Sequence, residues 1–207
     1  MLRYQPLENW EKPPEVYSWI EVAGVAVDAS DRVFVFNRSE HPMMVFDREG
    51  RFIASWGEGV FRRPHGVTIG VRGTVFCTDD ADHTVREFTP DGKLLMTLGR
   101  SGVPSGTGAT SVDYRSIERS SGPFHYPTNV AQAADGTLFV ADGYGNARIH
   151  RFAPSGELQC SWGEPGSGPG QFHVPHGITI DAEGLVYVAD RENSRIQRFD
   201  QIGRAHV

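Results

Sequence analysis

Cysteine is scarce in this chain of 207 residues: Cys77 and Cys160 are too few and too far apart to staple a fold or build a thiolate zinc cluster. Both read as reduced strand residues. Long apolar runs are missing as well. The N-terminal MLRYQPLENWEKPPEV has no apolar signal-peptide core, and no later run is long enough to span a bilayer. The expectation is a soluble, cytoplasmic protein with no membrane partner. Basic charge is also short, with 20 Lys and Arg against 26 Asp and Glu and a net charge of -6. A broad phosphate-binding surface is excluded, and with it nucleic acid as a partner. Helical periodicity is almost absent, which leaves an all-β chain. At 39% hydrophobic content it holds enough core for one domain.

What the sequence does have is a repeat. First runs GVAVD, GVTIG, NVAQA and GITID are followed by second runs ending at Asn37, Asp79, Asp142 and Asp190. Third runs carry Phe46, Phe88, Phe152 and Phe199, and fourth runs close at Gly57, Gly99 and Gly163. Four short antiparallel strands per unit mark a propeller blade. Blades start near 24, 66, 129 and 177, within a partial propeller spanning 1–201. Between the second-run ends the spacing is 42, 63 and 48 residues. The long interval holds a Gly- and Ser-rich insertion, residues 99–127, expected as a surface loop over the channel. Residues 3–10, ending in LENW, resemble the fourth-run endings and predict an outer strand. Residues 202–207, IGRAHV, read as the translation of a sequencing adapter. They predict a non-native tail, including His206, on an open arc of about four blades whose longer parent closes with six.

The start of strand one and the end of strand two share one face of a blade. His65 in RPHGV and His176 in VPHGI therefore ring one mouth of the channel, with Thr128 in the matching place between them. Arg38, Asp80, Gly143 with Tyr144, and Arg191 follow the second strands on that face. Two imidazoles aimed at a shared axis fit a zinc site. A PHG step that merely starts a strand is the bland alternative. Asp79, Asp142 and Asp190, present in three of four repeats, read as turn-holders. His41, His83, His125, His150 and His173 show no repeat partner and read as surface or packing residues. Trp10, Trp56 and Trp162 read as interblade core.

The repeat resembles NHL-type propellers. More specifically, FVADGYGNARIHRFAPSGELQCSWGEPGSGPGQFHVPHGITI, followed by VADRENSRIQRF, resembles the peptidyl-alpha-hydroxyglycine alpha-amidating lyases. The likeness extends from GVAVD to the tail. It implies a six-bladed propeller with zinc on three histidines, cleaving a carbinolamide to an amide and glyoxylate. By motif, His65 and His176 match two zinc ligands, with the third beyond residue 201. Tyr144 of DGYGNARI matches the catalytic tyrosine and Arg38 of FVFNRSEHP the catalytic arginine. Calcium on backbone carbonyls is implied at Val25 and Val67. In the secreted animal members a cysteine follows the catalytic tyrosine, where this chain has Gly145. The implied partner is a small-molecule or peptide-derived substrate at the channel mouth. Two other readings stay open: a non-catalytic NHL interaction propeller, and a metal-dependent lactonase, against which the histidine pair argues.

Overall fold

The computed structural model describes residues 3–205, so His206 lies outside the described residues. Four antiparallel sheets follow one another along the chain. The first is β1 (Val22–Val27), β2 (Val33–Asn37), β3 (Met43–Phe46) and β4 (Phe52–Trp56). The second is β5 (Pro64–Ile69), β6 (Val75–Asp79), β7 (Thr84–Phe88) and β8 (Leu94–Gly99). The third is β9 (Pro127–Gln132), β10 (Leu138–Asp142), β11 (Arg148–Phe152) and β12 (Leu158–Trp162). The fourth is β13 (Pro175–Ile180), β14 (Val186–Asp190) and β15 (Arg195–Phe199). Each sheet is a meander in sequence order, and the four form an open arc of a β-propeller. Among the described residues no helix is long and apolar enough to cross a membrane.

Sheets in such an arc pack face to face, so middle strands are covered on both sides and lose the polar alternation of a half-exposed strand. The second and third strands behave this way: β6 and β7 are buried at every position, as is β10. Apolar contacts then bridge neighbours. Phe34, Phe36 and Met43 of the first blade pack with Val67, Val75 and Phe88 of the second. Phe76 and Val85 meet Val130, Leu138 and Phe152, while Phe139 and Ile149 meet Ile178, Val188 and Phe199. Burying one such side chain contributes about 1.5–3 kcal/mol.

The innermost strands begin two residues earlier than the alternating pattern predicts. β5 pairs Pro64 with Asp79 and Val67 with Cys77, so His65 and Gly66 together oppose Thr78. β13 repeats this, with His176 and Gly177 opposite Ala189. Register shifts fall at the same place between Val22 and Gly24 and between Ala141 and Asp142. Each is a bulge, an extra residue that re-aims a side chain. His65 and His176 thus belong to the strands rather than preceding them.

Asn37, Asp79, Asp142 and Asp190 are fully buried and hold the loops as expected. Asp79 accepts from the Arg62 and Arg63 N–H groups, Asp142 from the His125 N–H and Asp190 from the His173 N–H. A third-strand side chain faces each aspartate: Arg86 on Asp79, His150 on Asp142 and Gln197 on Asp190. Two expectations are corrected here. His125 and His173 are repeat partners, each three residues before the Thr128 or His176 position, and His150 has a polar role.

Residues 3–10 form no strand, because they have no ladder partner among the described residues. Their Trp10 nonetheless occupies an outer-strand position. A Cβ on Gly50 would strike Trp10, just as one on Gly92 would strike Trp56 and one on Gly203 would strike Trp162. Trp10, Tyr17 and Trp19 cover Val35, Met44 and Phe46 on the outer face of the first blade. After β15 the chain makes the same turn as the first blade. The Asp200 N–H bonds the Arg204 carbonyl at 3.0 Å, and the Asp47 N–H bonds Arg51 at 2.9 Å.

Candidate functional site

His65 and His176 leave their bulges pointing at one atom. The Tyr144 hydroxyl lies 3.1 Å from His65 Nε2 and 3.0 Å from His176 Nε2, and the two imidazole centroids are 4.9 Å apart. The second blade supplies His65, the third Tyr144 and the fourth His176, so the site exists only because three blades meet. Tyr144 follows β10 on a loop held by two backbone bonds, from its N–H to the Tyr126 carbonyl and from the Gly145 N–H to the His125 carbonyl. Gly143 lets this loop close: a Cβ there would lie 2.1 Å from the Pro175 carbonyl oxygen.

Thr128 explains why the middle blade has no histidine at this place. Its carbonyl accepts from His65 Nδ1 at 2.7 Å, and its hydroxyl, shared among three carbonyls, reaches that of His176 at 2.8 Å. With Nδ1 donating to a carbonyl, neutral His65 presents a lone pair at Nε2, the arrangement that orients a metal-binding imidazole. The single phenolic proton can then go to His65, leaving His176 Nε2–H to donate to the phenol oxygen.

Both histidines are held neutral. Burial lowers the His65 pKa from 6.5, and the charges of Arg38, Arg63 and Arg191 add to that against the Thr128 bond. Burial likewise brings His176 to about 4, with His65 and Arg191 as lesser causes and Asp80 opposing. Neutral imidazole is the ligating form.

Arg38 sits on the rim beside this row. Its Nε donates to the Pro64 carbonyl at 3.1 Å and its Nη1 to Glu21. Val25 and Val67 occupy matching places on β1 and β5, paired with Val35 and Cys77; Val25 is 56% exposed and Val67 is buried. The pattern noted Arg191 only as a rim position, yet its Nη1 reaches the Tyr144 hydroxyl at 3.4 Å and its Cζ lies 5.3 Å from that ring. Its place after β14, equivalent to Arg38 after β2, was the available signal. The insertion is tied down beside the site: the Tyr114 and His173 rings are 4.9 Å apart, and Thr107 Oγ1 lies 2.7 Å from His125 Nδ1. His125 also packs on Gly145, where any Cβ would fall 2.5 Å from its ring.

The donor set fits part of a zinc site. Two imidazole Nε2 atoms converge on one oxygen, which matches two of the three protein ligands of a catalytic zinc. Among the described residues no three His, Cys, Asp or Glu side chains gather as a metal cluster, so no third ligand stands beside them.

The NHL repeat family model matches residues 172–199. The chain is 34% identical over 212 residues to peptidylglycine alpha-amidating monooxygenase of Rattus norvegicus, covering 86% of this chain and 20% of that protein. It is 32% identical over 216 residues to peptidyl-alpha-hydroxyglycine alpha-amidating lyase 2 of Drosophila melanogaster, covering 92% of this chain and 50% of the lyase. NHL repeat-containing protein 3 of Homo sapiens is 30% identical over 205 residues, covering 93% of this chain and 55% of that protein. The chain therefore spans half or little more of these relatives at most. A streptogramin B lyase structure superposes with a TM-score of 0.65 at 13% identity, over 90% of this chain and 55% of that one, which supports the fold alone. By blade pattern, sequence similarity and superposition, the chain is a β-propeller arc that carries an NHL repeat and resembles the peptidyl-alpha-hydroxyglycine alpha-amidating lyases.

Proposed function

We infer that this chain carries much of the active site of a zinc-dependent carbon–nitrogen lyase, which cleaves a carbinolamide to an amide and glyoxylate. The observation that carries this reading is the convergence of His65 Nε2, Tyr144 Oη and His176 Nε2 from three different blades. The names of the relatives support it. His65 and His176 would hold zinc, and a bound zinc would acidify an oxygen placed against it. The Val25 and Val67 carbonyls would serve a structural calcium.

The reaction balances without a co-reactant. The α-hydroxyl of R–CO–NH–CH(OH)–COO⁻ loses its proton, the C–N bond breaks as the C=O bond forms, and the amide nitrogen takes up a proton. Tyr144 would take the hydroxyl proton, a role supported by its oxygen being the shared point of the histidine pair. Arg191 Nη1 donates to that oxygen at 3.4 Å and helps to hold it in place. Arg38 would pair with the carboxylate that becomes part of glyoxylate. The substrate, a small molecule or peptide-derived carbinolamide, would enter at the channel mouth. Cys77 and Cys160 are free thiols, which suits a reducing, cytoplasmic setting.

The test is glyoxylate release from N-benzoyl-α-hydroxyglycine by the full-length gene product with Zn²⁺, beside Tyr144→Phe. Release by the parent and its loss in the variant is the expected result. Equal release by both would remove Tyr144 from the mechanism, and none from either would defeat the lyase reading. A second reading, a non-catalytic interaction propeller, is favoured by the likeness to NHL repeat-containing protein 3. It predicts no tight metal and indifference to His65→Ala.

A further inference from the structure

Arg38, Arg63 and Arg191 stand near the histidine pair, yet their side chains are engaged differently. Arg38 uses Nε on Pro64 and Nη1 on Glu21. Arg191 uses Nε on Glu192 and Nη1 on the Tyr144 hydroxyl. Arg63 is bonded only through Nε, which donates to Asp80 Oδ1 at 2.6 Å; neither Nη has a hydrogen-bond partner among the described residues.

The fork is fixed from behind and open in front. The side chain of Asp80 is 1% exposed and that of Arg63 is 34% exposed. At the root, the Arg63 N–H bonds Asp79 Oδ1 at 2.9 Å and its carbonyl accepts from the Asp80 N–H at 3.3 Å. The guanidinium carbon lies 5.9 Å from the Tyr126 ring centroid, and Tyr126 is the residue whose carbonyl holds the Tyr144 N–H. Arg63 stands two positions before His65 at the start of the second blade's innermost strand. A guanidinium whose terminal nitrogens face solvent in fixed geometry is suited to bidentate binding of a carboxylate. The charge at the mouth favours an anion over a neutral carbonyl. Asp80 is the one deeply buried counter-ion among the arginines' acidic partners, because Glu21 and Glu192 are 60% and 37% exposed and their fields are screened by water.

Building on the lyase reading, we propose that Arg63, braced by Asp80, is a specificity determinant that binds a second carboxylate on the amide side of the carbinolamide. The preferred substrate class is then an acidic N-acyl-α-hydroxyglycine.

Two unreactive analogues and two substrates test this on the full-length gene product. Calorimetry compares N-succinylglycine with N-acetylglycine, and glyoxylate release compares the matching α-hydroxyglycines. The expected wild-type preference for the succinyl compound is about tenfold or more. It falls to near unity in Arg63→Leu, read as the ratio of the two substrates within each protein. Arg63→Gln gives the same loss if Arg63→Leu folds poorly, and Arg63→Lys keeps part of the preference. Equal affinity for the two analogues in the wild type, or an unchanged ratio in Arg63→Leu and Arg63→Gln, overturns the proposal. Selective binding without glyoxylate from either substrate would sink the lyase reading and leave the carboxylate site standing. Glyoxylate from both at equal kcat/KM would do the reverse.

Discussion

The two PHG segments have nearly the same sequence and lie in different surroundings. Around His65 a third blade is in place, so Nδ1 is bonded to the Thr128 carbonyl and only 8% of the residue is exposed. The imidazole of His176 has no hydrogen bond at Nδ1 among the described residues, and its Nε2 meets Tyr144. What fixes His65 as a donor is therefore a carbonyl of the neighbouring blade, not the motif itself. The middle blade shows the complement. It gives up the histidine, and Thr128 spends its carbonyl on one neighbour and shares its hydroxyl with the other.

Changes at Tyr144 break this comparison most strongly. Tyr144→Phe removes the oxygen shared by both histidines, and turnover of a carbinolamide by the full-length protein should fall about 10²–10⁴-fold in a glyoxylate assay. Gly143→Ala comes next. Its Cβ meets backbone that has little room to yield, and urea unfolding should show a loss of roughly 1–3 kcal/mol. Thr128→Val is smaller and sharper. It keeps the carbonyl that anchors His65 and loses the hydroxyl near His176, so stability should drop by about 1 kcal/mol. In the same variant, imidazole NMR shifts should move at His176 more than at His65.

Proton linkage gives the gentlest test, in metal-free protein. Both histidines titrate below 6.5 when folded, His176 at about 4, whereas the unfolded chain binds its protons near 6.5. The unfolded state then holds more protons below that pH, so this contribution to stability is complete above it and is lost as pH falls from about 6.5 toward 4. Urea midpoints measured from pH 7.5 to pH 4.5 should decline in the wild type, and less steeply in His176→Gln.

Much of the architecture was legible because a blade repeats its polar punctuation. Asp79, Asp142 and Asp190 recur since each holds the loop entering its inner strand, whereas Asn37 at the matching place bonds the His41 and Pro42 carbonyls of the loop that follows, and both needs leave a sequence signature. The pairing of His65, Tyr144 and His176 was legible through resemblance, with blade topology placing them on one face. Strand starts were misjudged by two residues because a bulge preserves pairing where the alternation breaks. The equivalence of His125 with His173 was hidden because one precedes a histidine position and the other a threonine. Contacts of the insertion, such as Thr107 with His125, join residues from an irregular loop and leave no periodic trace. Arg63 with Asp80 was hidden for another reason: 17 positions separate them, and neither recurs in the other blades.

The central claim is that His65 and His176 form a shared metal-binding half of one site. Calorimetric titration of Zn²⁺ into the full-length protein, beside a His65→Ala/His176→Ala double variant, tests it most directly. One site per chain in the wild type and none in the variant is the predicted outcome. Equal zinc uptake by both proteins, or none by either, would contradict it.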